Sequence, residues 1–313
     1  MDDVVKKIAI KTRGLTKHYG HNIAVNDLDL DIKAGQFYGL LGPNGAGKST
    51  TIHMLTTMTS ATLGDAWIAE QLVIDDPVGI RRTVGLVFQD SALDRTMTMD
   101  ENLHFAAAMY NLPPNEADKR IDELMTVFGL EKKRHQKLMA LSGGQRRAVD
   151  IARGVLHKPK VLFLDEPTIG LDLPNRRSIW RFVEHLRRDE GMTVFLTTHY
   201  LEEAVACDHV DFIQQGQLQI GGKPLELVQQ LADYILEITS PEPEQVMKTL
   251  SPRFGTPIQE EQQLSFKIAT SDVDFYELQQ TLGDSISAMQ WRQPNLNDVY
   301  LWKICSPEVG ELA

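Results

Sequence analysis

Gly42, Pro43, Asn44, Gly45, Ala46, Gly47, Lys48, Ser49 and Thr50 form one uninterrupted stretch, and Gly42 through Ser49 fits the pattern G-x-x-x-x-G-K-[ST]. These residue types suit the capture of an anion. The glycines let consecutive backbone N–H groups turn toward a phosphate, and a following helix adds partial positive charge from its N-terminus. In such a loop Lys48 reaches the β- and γ-phosphates, and the Ser49 hydroxyl binds Mg²⁺. An ordinary Gly-rich turn with an exposed lysine would carry the same letters. The flanks favour the first reading: residues 37–41 read as a short buried strand and residues 51–55 as the start of a helix. A second group lies downstream. Residues 161–164 are a continuous apolar run, as in a central parallel strand, and Asp165 and Glu166 end it. An Asp at the C-terminal end of a buried strand, beside a phosphate loop, is positioned to hold the metal through a water. The next carboxylate, Glu166, would orient and polarise the water that attacks the γ-phosphorus. Alone, the two acids would read as a solvated loop or a helix cap. Paired with the phosphate loop they read as a site of nucleotide hydrolysis.

Other elements must carry these stretches. Residues 8–15 make a plausible first strand. Leu28, Leu30 and Ile32 alternate with Asp27, Asp29 and Asp31, the period of a half-buried strand. Ala34-Gly35 turns the chain into the strand before the phosphate loop. Residues 84–88 form an apolar strand that ends at Gln89. Thr98 and Glu101 make a capping box for a helix over 101–111, which Pro113-Pro114 breaks. A second helix spans 116–128 and closes at Gly129. Leu141-Ser142-Gly143-Gly144-Gln145 opens a third, to about residue 157. A helix over 175–189 ends at Gly191, and a buried strand over 193–197 stops just before His199. Strands 210–214 and 217–220 suggest a hairpin around Gly216, and 224–232 a short helix. The character changes near Asp233. Strand 234–239, helix 243–250, strands near 256–259 and 264–269, helix 273–282 and strand 286–292 follow, then a helix over 296–304. The order βαββαβ is the split-βαβ arrangement of ferredoxin-like folds. The expected domains are therefore 1–232 and 233–305, with a loose tail over 306–313.

Composition narrows the class. A chain of 313 residues suits one larger and one smaller domain, and 42% hydrophobic residues suffice for packed cores. A net charge of −11 argues against a nucleic-acid binder held by phosphate contacts. Cys207 and Cys305 form no disulfide framework and read as free thiols of a reducing compartment. Met1-Asp2-Asp3-Val4-Val5 lacks the features of a signal peptide, and no apolar run approaches the length of a membrane span. Any membrane role is expected to come through a partner.

Leu141-Ser142-Gly143-Gly144-Gln145 is the most specific string in the sequence. With Gly42–Ser49 upstream and Asp165-Glu166 downstream, residues 8–232 resemble the nucleotide-binding subunit of an ATP-binding cassette (ABC) transporter. The resemblance implies an α/β P-loop NTPase: a RecA-like core, an antiparallel β subdomain and a helical subdomain, followed by the small α+β domain. It implies ATP and Mg²⁺ as ligands. It also implies that Ser142, Gly143, Gly144 and Gln145 bind the γ-phosphate of ATP held by a second copy. The physics agrees, since Ser142 offers a hydroxyl, the glycines permit close approach, and the helix N-terminus favours an anion. Tyr19, in Lys17-His18-Tyr19-Gly20, matches the aromatic that stacks on adenine. Gln89 matches the glutamine that reaches Mg²⁺ and the attacking water, on the loop that senses the membrane part. Asp172 matches the segment that crosses the dimer interface with Ser142 and Gly144, and His199 the histidine that contacts the γ-phosphate. Leu173-Pro174 follows Asp172, where many relatives place the proline directly after the aspartate.

The late stretch Pro294-Asn295-Leu296-Asn297-Asp298-Val299-Tyr300-Leu301 is similar to the tail of daunorubicin-resistance-type exporter ATPases, which pair with ABC-2-type permeases. That likeness implies a homodimer of cassettes on a separate multi-spanning permease, peripheral at the cytoplasmic face of the inner (plasma) membrane. Two other classes compete. A coiled-coil ATPase of DNA maintenance needs a long arm between Lys48 and Ser142, and this interval holds only a helical subdomain. A ribosome-associated ABC factor carries two cassettes, and this chain has one. An ATPase of cofactor assembly, acting without a permease, stays open on motifs alone.

Overall fold

The structure is a computed structural model and describes residues 7–269 and 274–305. The expected tail over 306–313, the start of the predicted helix at 273 and the first six residues lie outside the described residues. In chain order the strands are β1 (Ile8–Tyr19), β2 (Asn22–Lys33), β3 (Phe37–Leu41), β4 (Leu63–Ile68), β5 (Gln71–Leu72), β6 (Val84–Val87), β7 (Val161–Asp165), β8 (Thr193–Thr198), β9 (His209–Gln214), β10 (Gln217–Gly222), β11 (Tyr234–Thr239), β12 (Ile258–Glu260), β13 (Gln263–Ile268) and β14 (Ala288–Arg292). The helices are α1 (Lys48–Leu55), α2 (Pro77–Thr83), α3 (Met99–Met109), α4 (Pro114–Phe128), α5 (Gly143–Val155), α6 (Leu173–Glu190), α7 (Leu201–Ala204), α8 (Pro224–Gln229), α9 (Pro243–Phe254), α10 (Phe275–Leu282) and α11 (Leu296–Tyr300), which runs into a π-turn at Leu301–Cys305. Among the described residues no helix is long and apolar enough to cross a membrane.

The chain divides at Gln219/Ile220 into two compact units. The first holds a six-stranded sheet of order β10-β9-β3-β8-β7-β6 and a four-stranded antiparallel sheet of order β2-β1-β4-β5. β3, β7 and β8 are buried along their whole length, which is why they read as unbroken apolar runs. Tyr38 and Phe163 each pack at a tilt on Phe195, with ring centroids 5.0 and 5.3 Å apart. The parallel register pairs Leu41 with Thr198 and Asp165 with Thr197. The carboxyl ends of β3, β7 and β8 thus finish at one level, where ligands of open α/β sheets bind.

β1 runs four residues beyond the expected Leu15 limit, to Tyr19, with irregular register against β2 around Thr12–Lys17. β4, β5, α2 and α7 carry no strong sequence signal. The helix expected over 101–111 begins at Met99, because Thr98 is its cap: Thr98 accepts from the Glu101 N–H at 3.2 Å and Glu101 closes the box.

The second unit contains α8, α11 and the sheet β12-β13-β11-β14, antiparallel throughout. Counted within the unit this is strand order 2-3-1-4, with α9 and α10 as the two crossovers. That is the split-βαβ order. Leu236, Ile238, Leu264, Phe266 and Ile268 line one face and pack on Val246, Leu250, Leu278 and Leu282. The opposite face is tied by Arg292, which donates to Glu237 at 2.7 Å and forks onto both oxygens of buried Asp298 at 2.6 and 2.8 Å. The helix α9 runs past its expected end at residue 250, through Pro252.

Candidate functional site

The loop 42–47 leaves β3 and enters α1. At Gly47 φ is +111°, and a Cβ there would lie 2.5 Å from the Ala24 carbonyl oxygen, so the position admits only glycine beside β2. Lys48 follows, 4% exposed. Its Nζ donates to Gly42 O at 2.9 Å and to Pro43 O at 3.1 Å, and it stands 3.2 Å from Glu166 Oε1. All three ammonium donors therefore have acceptors. Glu166 is 6% exposed, and two buried charges of opposite sign satisfy each other where neither could be buried alone. The second oxygen, Oε2, is 3.1 Å from His199 Nδ1. The Glu166 backbone has φ +44°, a region that costs a non-glycine residue about 1–3 kcal/mol. The Glu166 N–H donates to Thr197 O at 3.0 Å, which holds that backbone in place.

Asp165 Oδ1 accepts from Ser49 Oγ at 3.1 Å and from Thr197 Oγ1 at 2.6 Å. A hydroxyl and a carboxylate at this spacing are hard oxygen donors of the kind Mg²⁺ prefers, and the Gln89 side-chain amide could add a third. A cleft of about 600 Å³ opens over these groups, lined by Tyr19, Asn44, Gly45, Gly47, Lys48, Ser49, Thr50, Gln89 and Glu166 together with Asn22, Ile23, Ala24 and Gln215. Tyr19 is 49% exposed, and Lys17 Nζ lies 5.1 Å from its ring centroid. Ala46 is buried beneath the loop, and its carbonyl accepts from the Gly216 N–H at 3.0 Å.

Ser142, Gly143, Gly144, Gln145 and Asp172 do not line this cleft. They gather at the N-termini of α5 and α6. Ser142 Oγ accepts from the Gln145 N–H at 3.3 Å, and Gln145 Oε1 accepts from the Ser142 N–H at 3.1 Å, a closed capping box. Asp172 Oδ1 caps α6 by accepting from the Asn175 N–H at 3.0 Å and from Asn175 Nδ2 at 2.7 Å. A Cβ on Gly144 would fall 2.3 Å from Asn175 Oδ1, so glycine lets the two helix starts approach. Pro174 is accommodated in the first turn of α6, where its missing N–H has no partner to lose. One chain thus carries two separate sets of groups suited to phosphate.

Several buried side chains hold the first set, and their sequence signals are weak. Thr197 reads only as the polar end of an apolar strand. Arg147 is 7% exposed, and its guanidinium spends its donors on main-chain carbonyls: Nε on Pro167 O at 2.5 Å, Nη2 on Asp165 O and Glu166 O at 3.3 Å each, and Nη1 on Phe88 O. Burial pulls its pKa down, against Asp150, Asp165 and Asp90, which raise it. Glu203 is buried between two hydroxyls: Thr168 Oγ1 donates to its Oε1, and Thr198 Oγ1 to its Oε2 at 2.8 Å. Burial raises its pKa, while Thr168 and Thr198 oppose that shift. In sequence Glu203 looks like any surface acid of a short helix.

With this geometry in view, comparison with known proteins is direct. The sequence profile of the ABC transporter family matches residues 25–169. The daunorubicin/doxorubicin resistance ATP-binding protein DrrA of Streptomyces peucetius is 41% identical over 231 residues, covering 74% of this chain and 70% of that one. The linearmycin resistance ATP-binding protein LnrL of Bacillus subtilis is 36% identical over 232 residues, 74% of each chain. The Nod factor export ATP-binding protein I of Ralstonia nicotianae is 39% identical over 220 residues, 70% of this chain and 68% of that one. Among solved structures, the cassette MJ0796, dimeric in a post-hydrolysis state with ADP and Pi bound, superposes with a TM-score of 0.63 at 28% identity, over 68% of this chain and 98% of that one. Relatives at 36–41% identity over about 70% or more of this chain show its family: the chain belongs to the ATP-binding proteins of ABC transporters and is an ATPase of that family.

Proposed function

We propose that the chain is the ATP-hydrolysing subunit of an ABC-2-type exporter, working as a pair of cassettes on a separate membrane-spanning permease. The observation that carries this reading is the division of the phosphate-binding groups into two sets on one chain. Gly42–Thr50 and Glu166 serve one face of ATP, Ser142–Gln145 serve a nucleotide held by another copy, and Asp172 lies on the segment that crosses the interface between the two. Kinship with resistance and export ATP-binding proteins supports export as the direction of transport. Tyr19 stacks on the base. Ser49, Asp165 and Gln89 would hold Mg²⁺, which would supply positive charge against the phosphate oxygens. Glu166 takes the proton of the attacking water, and His199 contacts the γ-phosphate. A phosphate that draws Lys48 to itself removes one of the two partners of Glu166 and leaves its Oε1 available as the base. ATP then belongs to the interface between two chains, and its hydrolysis loosens the pair.

The permease contact is assigned to the groove beside β6, α2 and α3, where Val78, Leu86, Phe88, Ala106 and Met109 line a cavity of about 440 Å³ together with Arg81, Arg82 and Arg153. Met109 is 71% exposed there. A lining that mixes apolar side chains with arginines fits a short amphipathic segment of a membrane protein. Gln89 follows β6 directly, so this groove and the cleft share one loop. The functional cassette is taken as residues 1–232, and residues 233–305 as a docking or pair-stabilising accessory domain. The complex sits peripherally on the cytoplasmic face of the inner membrane.

The test is affinity capture of tagged Glu166→Gln protein from detergent-solubilised membranes with ATP and Mg²⁺. The expected result is co-purification of a multi-spanning permease. Recovery of an ATP-bound dimer with no membrane partner would favour a cytoplasmic ATPase and overturn the export reading.

A further inference from the structure

Arg147 joins three parts of the cassette: α5, the loop after β6 and the turn after β7. It lies in the second turn of α5, just after the capping box that fixes Ser142 and Gln145. Its donors reach two other segments. On the loop after β6 they engage Phe88 O and, at a long 3.5 Å, Gln89 O. On the turn after β7 they engage the carbonyls of Asp165, Glu166 and Pro167. Every one of these acceptors is main chain, so the contact moves backbone rather than a flexible side-chain tip. A guanidinium is a rigid planar fork, and a displacement at its root is transmitted to all its acceptors instead of being absorbed. A second arginine of the same helix, Arg153, donates to Ala92 O at 3.1 Å, so α5 holds the Gln89 loop at two points. The helix start itself is braced against α6 by Asn175, which packs on Gly144.

We propose that Arg147 is a positioning residue that couples the N-terminus of α5 to the backbone of Gln89 and Glu166, so that a γ-phosphate engaged at Ser142–Gln145 sets turnover at the other site, the one built on the same chain's own phosphate loop. The proposal rests on the paired-cassette reading above. In a pair, the Ser142–Gln145 segment of one chain faces nucleotide held by the other. A small shift of α5 on engagement is carried by Arg147 onto the carbonyls that fix Glu166 and Gln89. The two sites then communicate through one side chain per protomer, which makes hydrolysis cooperative in ATP.

The test uses the full chain and three readouts: ATPase rate against ATP concentration, binding of a fluorescent ATP analogue in the Glu166→Gln background, and thermal melting. Arg147→Gln is expected to bind nucleotide within about twofold of the parent while kcat falls about 10- to 100-fold, the scale of a sub-ångström to ångström misplacement. Its Hill coefficient is expected to drop toward about 1. Arg147→Lys, which keeps the charge and loses the fork, is expected to recover part of kcat and none of the cooperativity. If Arg147→Gln does not fold, Arg147→Lys decides on the same readouts. Unchanged kcat and Hill coefficient in a folded variant would overturn the proposal. Parallel losses of kcat, nucleotide binding and melting temperature would also overturn it, since they describe a clamp that only stabilises. A Hill coefficient of about 1 in the wild type would overturn the cross-site part. Failure of the pairing itself reads differently: Glu166→Gln would then form no ATP-dependent dimer, and the proposal would fall with the reading beneath it.

Discussion

Glu166 is held by two donors and a strained backbone, with Lys48 on one oxygen and His199 on the other. Behind it a closed ring runs from Glu166 through Pro167 to Thr168, across Glu203 to Thr198, and back through His199. Glu203 is the member of that ring whose removal strands the most. Glu203→Ala leaves the hydroxyls of Thr168 and Thr198 buried without an acceptor, and each should cost about 1–3 kcal/mol. Chemical denaturation should show this loss, with Glu203→Gln intermediate because its carbonyl oxygen still accepts one bond. Equal stability of the Ala and Gln variants would contradict the role of the second hydroxyl. Legibility at this scale follows chain distance. Gly42–Ser49 and Ser142–Gln145 are readable because backbone geometry and chemistry lie in one continuous string. Arg147, Thr197 and Glu203 are not, because each acts on residues that only the fold brings near.

At the scale of elements, helix starts explain most of what was legible. Thr98, Ser142 and Asp172 all cap helices, and the last two open segments assigned to the interface with a second copy. Asp172→Ala should cost about 1 kcal/mol of stability through the lost cap. If Asp172 also crosses the dimer interface, the same variant should weaken ATP-dependent pairing more than it lowers the melting temperature. β4 and β5 stayed illegible for a physical reason. β4 buries only Ala66 and Ile68 and carries Gly64 and Asp65 in its exposed half, so it shows neither alternation nor an apolar run. The core strands give the opposite case. Phe163 is fully buried against Phe195, and Phe163→Ala should cost about 3–5 kcal/mol in denaturant titration.

His157, just beyond α5, adds a pH dependence. Its ring stacks on Tyr110 at 3.7 Å, Nε2 donates to Val84 O at 3.0 Å, and buried Nδ1 has no partner. Burial lowers its pKa to about 4, although the Val84 bond raises it. The unfolded chain takes up this proton near its ordinary value of about 6.5, and the folded chain refuses it until about 4. The stabilising contribution is therefore whole above the unfolded value and is lost as pH falls toward the folded one. Thermal melting of His157→Gln should show a flatter acid limb between those two values than the wild type. Parallel limbs would contradict the assignment.

At the scale of the molecule, the chain is two compact units of different design, a parallel α/β cassette and a small antiparallel sheet with crossover helices. The element order of the second unit, βαββαβ, was readable from the run of segments after Asp233. The sequence puts the change of character near Asp233, and the compact unit begins at Ile220, within β10. In the proposed pairing each cassette carries the two halves of a nucleotide site in separate places, Gly42–Thr50 in one and Ser142–Gln145 in the other. Mixing two inactive variants tests it most directly. Lys48→Ala disables the phosphate loop, and Ser142→Arg blocks the segment offered to the partner. Neither protein alone should hydrolyse ATP. In a mixed pair one site combines both faults, and the other joins an intact phosphate loop to an intact Ser142–Gln145 segment. An equal mixture should therefore recover ATPase activity, up to about a quarter of the wild-type rate for random pairing. A mixture as inactive as its components would mean that each chain completes its own site, and the paired-cassette account would be wrong.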